Sequence, residues 1–451
     1  MRARFTRSTV ILVALFVSMG AASRLWSEEP KSSGKGAPAF VPFEKQWTAG
    51  SPVSNGAAGS AITPAVVGDK VVFCDGKSGH QVYCVDAASG KPLWTYKTDD
   101  NGPSSVIATE EGFHLTTNSC TIETINPTTG VLVWKKWIGS VIEAAPCAAG
   151  DKLLVVGDNP DSNSKTWGEP YALMCLKASN GDVVWSQPLK EQAIGAPCAS
   201  QGRAFVATRG GDVFCSDMAT GKLKWRQDTN AVSAPFIADN SVFVTCARSD
   251  EDTLARFDVA SGRTTGTFRA GQSGNRKLGK RVSAETRRNA QKAMVETHSY
   301  GDLAARPVVQ GGFVYSPSSE GLYCLDAKTL KPRWKFACPK DGVWLTGSAR
   351  PTGERVYVVD SEGTIHCLDA RTGKSVGGTS AGAVVSGPPA IVAGRMYYVT
   401  GDGVIHCQSA FNGSDDGWPM LGGSAGNTAP TVSERVVVTP SAAAGEAGDK
   451  K

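Results

Sequence analysis

The sequence predicts an all-β protein: an eight-bladed β-propeller of four-stranded antiparallel blades, closed by mixing N- and C-terminal strands. Three observations support this prediction. A strand–turn–strand phrase recurs eight times, most copies are spaced by about 40 residues, and no helical pattern separates them. A repeat of this kind indicates an array of small sheets, each of which needs its neighbours to bury its apolar faces.

The clearest copies of the phrase are residues 82–94 and 213–225, which align without a gap. Each begins with a short apolar run typical of a strand covered on both faces, continues through an Asp-led turn, and ends in a second strand. Successive turns are separated by 40, 51, 40, 41, 68, 43 and 40 residues. The eight turn residues are Gly90, Gly130, Gly181, Gly221, Gly262, Leu330, Gly373 and Gly413.

A proline-led segment precedes seven of the eight phrases and supplies two more strands. In residues 63–73 two apolar runs flank a Gly-Asp turn, and proline suits the first residue of a strand. We therefore expect four strands per repeat. The corresponding segments begin at Pro64, Pro146, Pro197, Pro235, Pro307, Pro351 and Pro389.

The two ends of the chain predict how the ring closes. The residues around Trp47 resemble an outer strand, but the other strands of its blade do not accompany it. Residues 429–438 resemble the first strand of a blade without a partner strand. We expect the residues near Trp47 to complete the last blade, because a closed ring hides its edge strands. Trp418 competes for the same outer position.

The remaining segments predict an exported protein. Arg2, Arg4 and Arg7 precede an apolar run at 10–17, so residues 1–22 are expected to be a signal peptide rather than a membrane anchor. Residues 23–40 form a flexible leader, 41–440 the propeller, and 441–451 a disordered tail. No cysteine precedes Cys74, so we expect no lipid-modified cysteine and a periplasmic or secreted monomer.

The phrase resembles the repeat of the pyrroloquinoline-quinone-like (PQQ-like) β-propeller family, whose blades end in Asp-x-x-x-Gly-Lys-x-x-Trp. The resemblance covers roughly residues 43–439 and is strongest to the outer-membrane assembly branch, BamB. It implies that the glycine and tryptophan of the motif pack between blades. Copies five, seven and eight carry Gly266, Gly377 and Gly417 at the tryptophan position, and we expect softer junctions there. The implied docking residues are Gly90, Trp94, Gly130, Trp134, Gly181, Trp185, Gly221, Trp225 and Trp334.

Twelve cysteines would suggest disulfides in an exported protein, but their positions argue otherwise. Equivalent positions in neighbouring blades lie about 10 Å apart, beyond the Cα separation that a disulfide spans. We expect small buried residues, and we consider a bridge only for Cys74 with Cys84. Six cysteines share one strand position: Cys84, Cys175, Cys215, Cys324, Cys367 and Cys407.

No pattern in the sequence predicts catalysis, a cofactor or a metal. His366 and His406 occupy the place of an aromatic residue in other blades, and the periodic aspartates belong to turns. In quinoprotein dehydrogenases of the resembled family, the quinone on the axis is capped by adjacent cysteines, which this chain lacks. The periodic aspartates are Asp86, Asp217, Asp258, Asp326 and Asp369.

One insertion, residues 264–301, interrupts the repeat between blades five and six. Residues 263–292 carry nine basic residues and one acid, although the whole chain has a net charge of only +5. The insertion is either a solvated loop or a docking element for an acidic protein or an anionic envelope component; nucleic acid is not expected for an exported chain. The candidate docking residues are Arg276, Lys277, Lys280, Arg281, Arg287 and Arg288.

The sequence therefore favours an exported, non-catalytic propeller that acts as a scaffold in the cell envelope. Two alternatives remain open. The first is a PQQ- or sugar-dependent oxidoreductase that uses the axial funnel, and the second is an extracytoplasmic ligand-sensing module.

Overall fold

The computed structural model describes residues 41–50, 62–75, 79–118, 121–139, 144–160, 169–248, 251–270, 306–318 and 320–424. The chain separates into two compact units, Met1–Phe40 and Val41–Lys451. The first unit lies outside the described residues, as do the candidate docking residues of the basic insertion and the strand start expected at 429–438.

The described residues form eight four-stranded antiparallel sheets, which confirms the predicted eight-bladed propeller. The first strand, β1 (Lys45–Gly50), belongs to the last blade. Blade one comprises β2 (Ala65–Val67), β3 (Lys70–Cys74), β4 (Gln81–Asp86) and β5 (Pro92–Lys97). Blade two comprises β6 (Ile107–Thr109), β7 (Gly112–Thr116), β8 (Thr121–Ile125) and β9 (Leu132–Trp137).

The next three blades follow the same order. Blade three comprises β10 (Cys147–Ala149), β11 (Lys152–Asp158), β12 (Tyr171–Lys177) and β13 (Val183–Leu189). Blade four comprises β14 (Cys198–Ser200), β15 (Arg203–Ala207), β16 (Asp212–Asp217) and β17 (Leu223–Asp228). Blade five comprises β18 (Phe236–Ala238), β19 (Ser241–Arg248), β20 (Glu251–Asp258) and β21 (Thr264–Arg269).

The last three blades complete the ring. Blade six comprises β22 (Val308–Gln310), β23 (Phe313–Ser318), β24 (Gly321–Asp326) and β25 (Pro332–Phe336). Blade seven comprises β26 (Leu345–Pro351), β27 (Arg355–Asp360), β28 (Thr364–Asp369) and β29 (Ser375–Ser380). Blade eight comprises β30 (Ala390–Val392), β31 (Arg395–Val399), β32 (Val404–Ser409) and the N-terminal β1.

Two sequence-based boundaries change. Six of the seven prolines directly precede the first strand of their blade, but Pro351 lies inside β26, opposite Val356. The residues 264–269, which we assigned to the basic insertion, form the outer strand of blade five, because Gly262 is a turn residue and the strand that follows it pairs with β20.

In blades one to seven the innermost strand is the first in the sequence; in blade eight the innermost strand is β30, because β1 lies at the outer edge. First strands of successive blades contact one another, including β2 with β6, β10 with β14, and β2 with β30. They therefore surround the axis, while β5, β9 and their equivalents lie at the outer edge of their sheets.

Ring closure occurs in the last blade, as predicted. Trp47 of β1 lies opposite Cys407 of β32, the register that Trp94 and Cys84 adopt within blade one. The two chain segments also reproduce the turn that joins the outer strands of the other blades. The Ser409 N–H donates to the Glu44 carbonyl at 2.9 Å, and Phe43 has the left-handed conformation of a turn residue, with φ of 58°. Trp418 does not compete for this place. It bridges Ile391 of the innermost strand β30.

Candidate functional site

Six blade junctions in the described chain use a tryptophan against a turn glycine. The indole Nε1–H of each tryptophan donates to a backbone carbonyl in the next blade at 2.9–3.2 Å. The turn glycine of that blade has φ between 68° and 75°, and a Cβ added to it would approach the indole ring to 2.5–2.7 Å. Glycine is therefore required at this position for two reasons: the backbone has a positive φ, and the indole ring leaves no room for a Cβ. The pairs are Trp47–Gly90, Trp94–Gly130, Trp134–Gly181, Trp185–Gly221, Trp225–Gly262 and Trp334–Gly373.

The junction between blades five and six lacks the tryptophan and replaces it with two other residues. Gly266 leaves space into which the Leu330 side chain extends, because a Cβ on Gly266 would lie 2.9 Å from Leu330 Cδ1. Leu330 stands in the turn position with φ of 55°. Arg256 supplies the lost hydrogen bond: its Nη1 donates to the carbonyls of Ala327 and Lys328 at 2.5 and 2.6 Å.

The junction between blades seven and eight is filled in a similar way. Gly377 stands at the tryptophan position, and a Cβ on it would lie 3.1 Å from the ring of Phe43 and 3.3 Å from that of Phe411. Arg355 covers the Phe411 ring at 5.0 Å. Blade eight receives its tryptophan, Trp47, from the N-terminal strand rather than from position 417. All three departures from the motif are thus occupied by other side chains.

The repeated cysteines support these junctions from the third strand. Cys84, Cys175, Cys215 and Cys324 each lie directly opposite the motif tryptophan of their own blade. All six repeated cysteines are buried, and burial raises the pKa of the Cys84 thiol to about 12. Cys74 and Cys84 are both free, so the bridge that we considered between them is absent.

The histidines and repeated aspartates have structural partners. The Asp86 carboxylate accepts bonds from the N–H and hydroxyl of Ser89 within the turn. His366 lies 2.8 Å from Asp360, and His406 stacks on Tyr398 with ring centroids 4.9 Å apart. Within the described ranges, no group of three or more histidine, cysteine, aspartate or glutamate side chains could hold a metal ion.

His114 is the most deeply buried histidine in the described part of the chain. It lies in blade two between the hydroxyls of Thr109 and Thr124, both at 2.7 Å, and beside the ring of Trp134. Burial lowers the pKa of His114 to about 3, so the imidazole is neutral in the folded protein. This ring is a structural element of a blade junction, which the sequence did not reveal because His114 appeared isolated.

The propeller axis is crossed by the segment that follows blade eight, residues 418–424. The Pro419 carbonyl accepts a bond from Val66 of blade one at 2.6 Å. Leu421, only 3% exposed, then packs against Ala145 and Ala196, at the starts of the innermost strands of blades three and four. Because blades eight and four face each other across the ring, this segment crosses the axis at the end where the innermost strands begin.

Two buried arginines lie beside the innermost strands, and sequence reasoning missed both. Arg350 of β26 covers the Trp418 ring at 4.7 Å, and its Nε donates to the Pro389 carbonyl at 3.3 Å. Arg306, which directly precedes Pro307 and β22, is 1% exposed. Each directly precedes the proline that leads its blade, Pro307 or Pro351, and the residue type at this position varies too much among the repeats to predict its burial.

An apolar surface lies on the outer strands of blades one to three. Leu93, Val133 and Val184 share one register and are 47%, 51% and 39% exposed, whereas blades four, five, six and eight carry polar residues there. On β9 the exposed positions alternate, so that Val133, Lys135 and Trp137 share a face. Trp137 is 64% exposed, an unusual placement for so large an apolar ring. The blade 1–3 edge is defined here as Leu93, Val131, Val133, Trp137, Val183 and Val184.

The repeats are similar to those of known proteins. The family model described as outer membrane protein assembly factor BamB matches residues 23–157, 118–208, 176–284, 272–376 and 344–447. The chain belongs to this family. An outer membrane protein assembly factor BamB from Bordetella pertussis is 24% identical over 421 residues, which cover 85% of this chain and 92% of that protein. These matches confirm the PQQ-like, BamB-type resemblance of the repeats.

Two solved structures share the fold. The crystal structure of BamB from Moraxella catarrhalis is 16% identical with a TM-score of 0.58, covering 81% of this chain and 99% of that one. A quinohemoprotein alcohol dehydrogenase from Comamonas testosteroni is 13% identical with a TM-score of 0.62, covering 81% of this chain and 76% of that one. Both similarities show the propeller fold alone. The BamB family is named for assembly, which supports the prediction that this chain is not an enzyme.

Helices with the length and apolar character of a membrane span do not occur among the described residues.

Proposed function

We propose that this chain is a periplasmic, non-catalytic scaffold that holds an extended segment of a client chain during outer membrane protein assembly. The observation that carries the proposal is the exposed Trp137 on β9, an outer strand whose second edge has no partner strand in its sheet. Membership of the BamB family supports the role in outer membrane protein assembly, and the basic residues and apolar run at the N-terminus support the periplasmic location.

The chemistry of β9 suits a strand-shaped partner. An unpaired strand edge offers backbone donors and acceptors to an extended peptide, and alternating apolar side chains give that peptide a face to cover. Val133 and Trp137 supply this face, while Lys135 and the neighbouring Lys136 discourage the pairing of two copies of the edge. In the strand segments of a membrane β-barrel protein, apolar and polar side chains alternate with the same period of two residues.

A binding measurement tests this proposal. The probe is a urea-unfolded outer-membrane β-barrel protein carrying a fluorophore, diluted into wild type or Val133→Ser/Trp137→Ser, with anisotropy as the readout. We expect at least a tenfold weaker Kd for the double variant, since buried aromatic anchors dominate most interfaces. The control is Val376→Ser, which changes an exposed apolar residue at the register of Val133 on blade seven. Equal affinity of all three proteins would refute docking at this edge.

The basic insertion is proposed as a second contact, with an acidic partner. Seven basic residues between 276 and 292 support this proposal. Replacing six of them with Gln should abolish capture of the partner and remove the salt dependence of binding, because exposed charges are screened beyond about 8 Å at physiological ionic strength. The Tm should barely change. Capture of the same partner at the same salt concentration would reduce the insertion to a solvated loop. The six are Arg276, Lys277, Lys280, Arg281, Arg287 and Arg288.

A further inference from the structure

Arg306 places a positive charge at the axis of the propeller. It stands two residues before β22, the position that Ala145 and Ala196 occupy before β10 and β14. Those two alanines contact Leu421 of the axial segment. The Arg306 side chain extends from blade six as far as Cys198 of blade four, and it is 1% exposed.

The contacts of Arg306 leave part of its guanidinium group unsatisfied. Nη1 lies 3.8 Å from the Cys198 sulfur, and the Phe236 ring lies 5.7 Å from the guanidinium carbon. Among the described residues, Nε and Nη2 have no hydrogen-bond partner, and no carboxylate forms an ion pair with this group. Burial holds the pKa of the nearby Cys147 thiol well above its usual range, so that neutral thiol supplies no counter-charge. Arginine remains charged in proteins, so the environment is electrostatically incomplete.

Arg350 shows that such burial normally comes with partners in this protein. Its Nε donates to the Pro389 carbonyl at 3.3 Å, and its Nη2 lies 3.5 Å from the Thr63 hydroxyl. The same two nitrogens that are satisfied in Arg350 are therefore the ones that lack partners in Arg306.

The two unsatisfied nitrogens lie on one edge of the planar guanidinium group. Their N–H bonds are parallel, and their spacing matches the two oxygens of a carboxylate, which accepts both in a bidentate ion pair. We propose that Arg306 binds a small free carboxylate anion at the propeller axis through this edge. The enclosed position favours a small anion, because Arg306 is 1% exposed and its neighbours Phe236 and Cys198 are themselves buried.

Acetate is the probe for the test, titrated in place of chloride at constant ionic strength and neutral pH. Full-length wild type is compared with Arg306→Met, which keeps an unbranched side chain of similar reach without the charge, and with Arg350→Met as the matched control. In wild type we expect a saturable rise in Tm of about 2–4 °C and saturation transfer to the acetate methyl group in NMR. Arg306→Met should lose both responses. Arg350→Met should keep both, from a lower starting Tm.

Two outcomes would overturn the proposal. The first is a wild type without an acetate response; if Arg306→Met is also destabilised, a carboxylate of the chain itself fills the edge. The second is a response of the same size in Arg306→Met. The result is independent of the outer-strand experiment, because Arg306 lies at the axis and Trp137 at the outer edge of blade two.

Discussion

The six tryptophan junctions and the two junctions without tryptophan fill the same space between neighbouring blades with different residues. In the described chain, six junctions place an indole over a turn glycine, whereas Leu330 and Phe43 occupy the turn position where the preceding blade has glycine in place of tryptophan. The large group has moved from one side of the junction to the other. The repeat thus preserves a filled space and a bond to a turn carbonyl, rather than one residue type.

The largest effect is expected from removing a junction tryptophan. Trp225→Ala deletes a ring that is 8% exposed and packs on Gly262, and it should lower the free energy of unfolding by about 3–5 kcal/mol. Urea unfolding measures the change. Trp137→Ala is the control, expected to cost within about 0.5 kcal/mol because its ring is mostly exposed. A loss below about 1 kcal/mol for Trp225→Ala would show that the junctions do not depend on the indole.

Rebuilding the motif between blades five and six tests whether the two kinds of junction are interchangeable. Gly266→Trp alone forces an indole against Leu330 and should destabilise the protein by about 2–3 kcal/mol through overpacking. The triple variant Arg256→Cys/Gly266→Trp/Leu330→Gly restores the residues of the other junctions and should unfold within about 1 kcal/mol of wild type, since the three sites are coupled. If the triple variant is as unstable as the sum of its parts, the junctions are not interchangeable.

One tryptophan junction should respond to acid. His114, beside Trp134, is neutral when folded because burial lowers its pKa to about 3, but it protonates near 6.5 when unfolded. Its contribution to stability is therefore complete above pH 6.5 and is lost as the pH falls toward 3, which amounts to about 2 kcal/mol at pH 5. Urea unfolding at pH 7 and pH 5 should show a smaller loss in His114→Gln. An identical loss in both proteins would assign the acid sensitivity to other groups.

The smallest effect concerns the hydrogen bonds that replace the indole N–H. Arg256→Met removes the bonds to the carbonyls of Ala327 and Lys328, together with two bonds to Thr265, and should cost about 1 kcal/mol, because water can partly replace them at this partly exposed site. Arg263→Met, in the exposed turn of the same blade, is the matched control. Thermal melts of the two variants that coincide would mean that Leu330 alone fills this junction.

The periodic part of the fold could be predicted because each turn glycine and tryptophan reports a fixed place in a blade. The closure followed from Trp47 for the same reason, since a motif residue without its own blade must belong to another. The packing of the junction after blade five was also visible in the sequence. Gly266 in copy five is smaller than the usual tryptophan, and Leu330 in copy six is larger than the usual glycine. The softer junctions expected there stay a prediction, although no vacant space accompanies the substitutions.

The axis could not be predicted from the sequence. Residues 418–424 follow no repeat, and their position depends on contacts with the starts of strands that lie hundreds of residues earlier. Arg306 and Arg350 are surrounded by residues from several blades, so their burial follows from ring geometry rather than from local sequence. Pro351 was misplaced because β26 is longer than the other first strands.

The closing turn in blade eight makes the order of synthesis matter. In seven blades the two outer strands are joined directly by the chain, but the Glu44 N–H bonds to a serine 365 positions away. The first residues of the propeller to leave the ribosome, or to cross a membrane, must wait for the last blade before they have a partner strand. Until β32 emerges, β1 is an unpaired strand, which invites pairing with other extended chains. A protein of this design should be most dependent on chaperones in the interval between the emergence of β1 and that of β32.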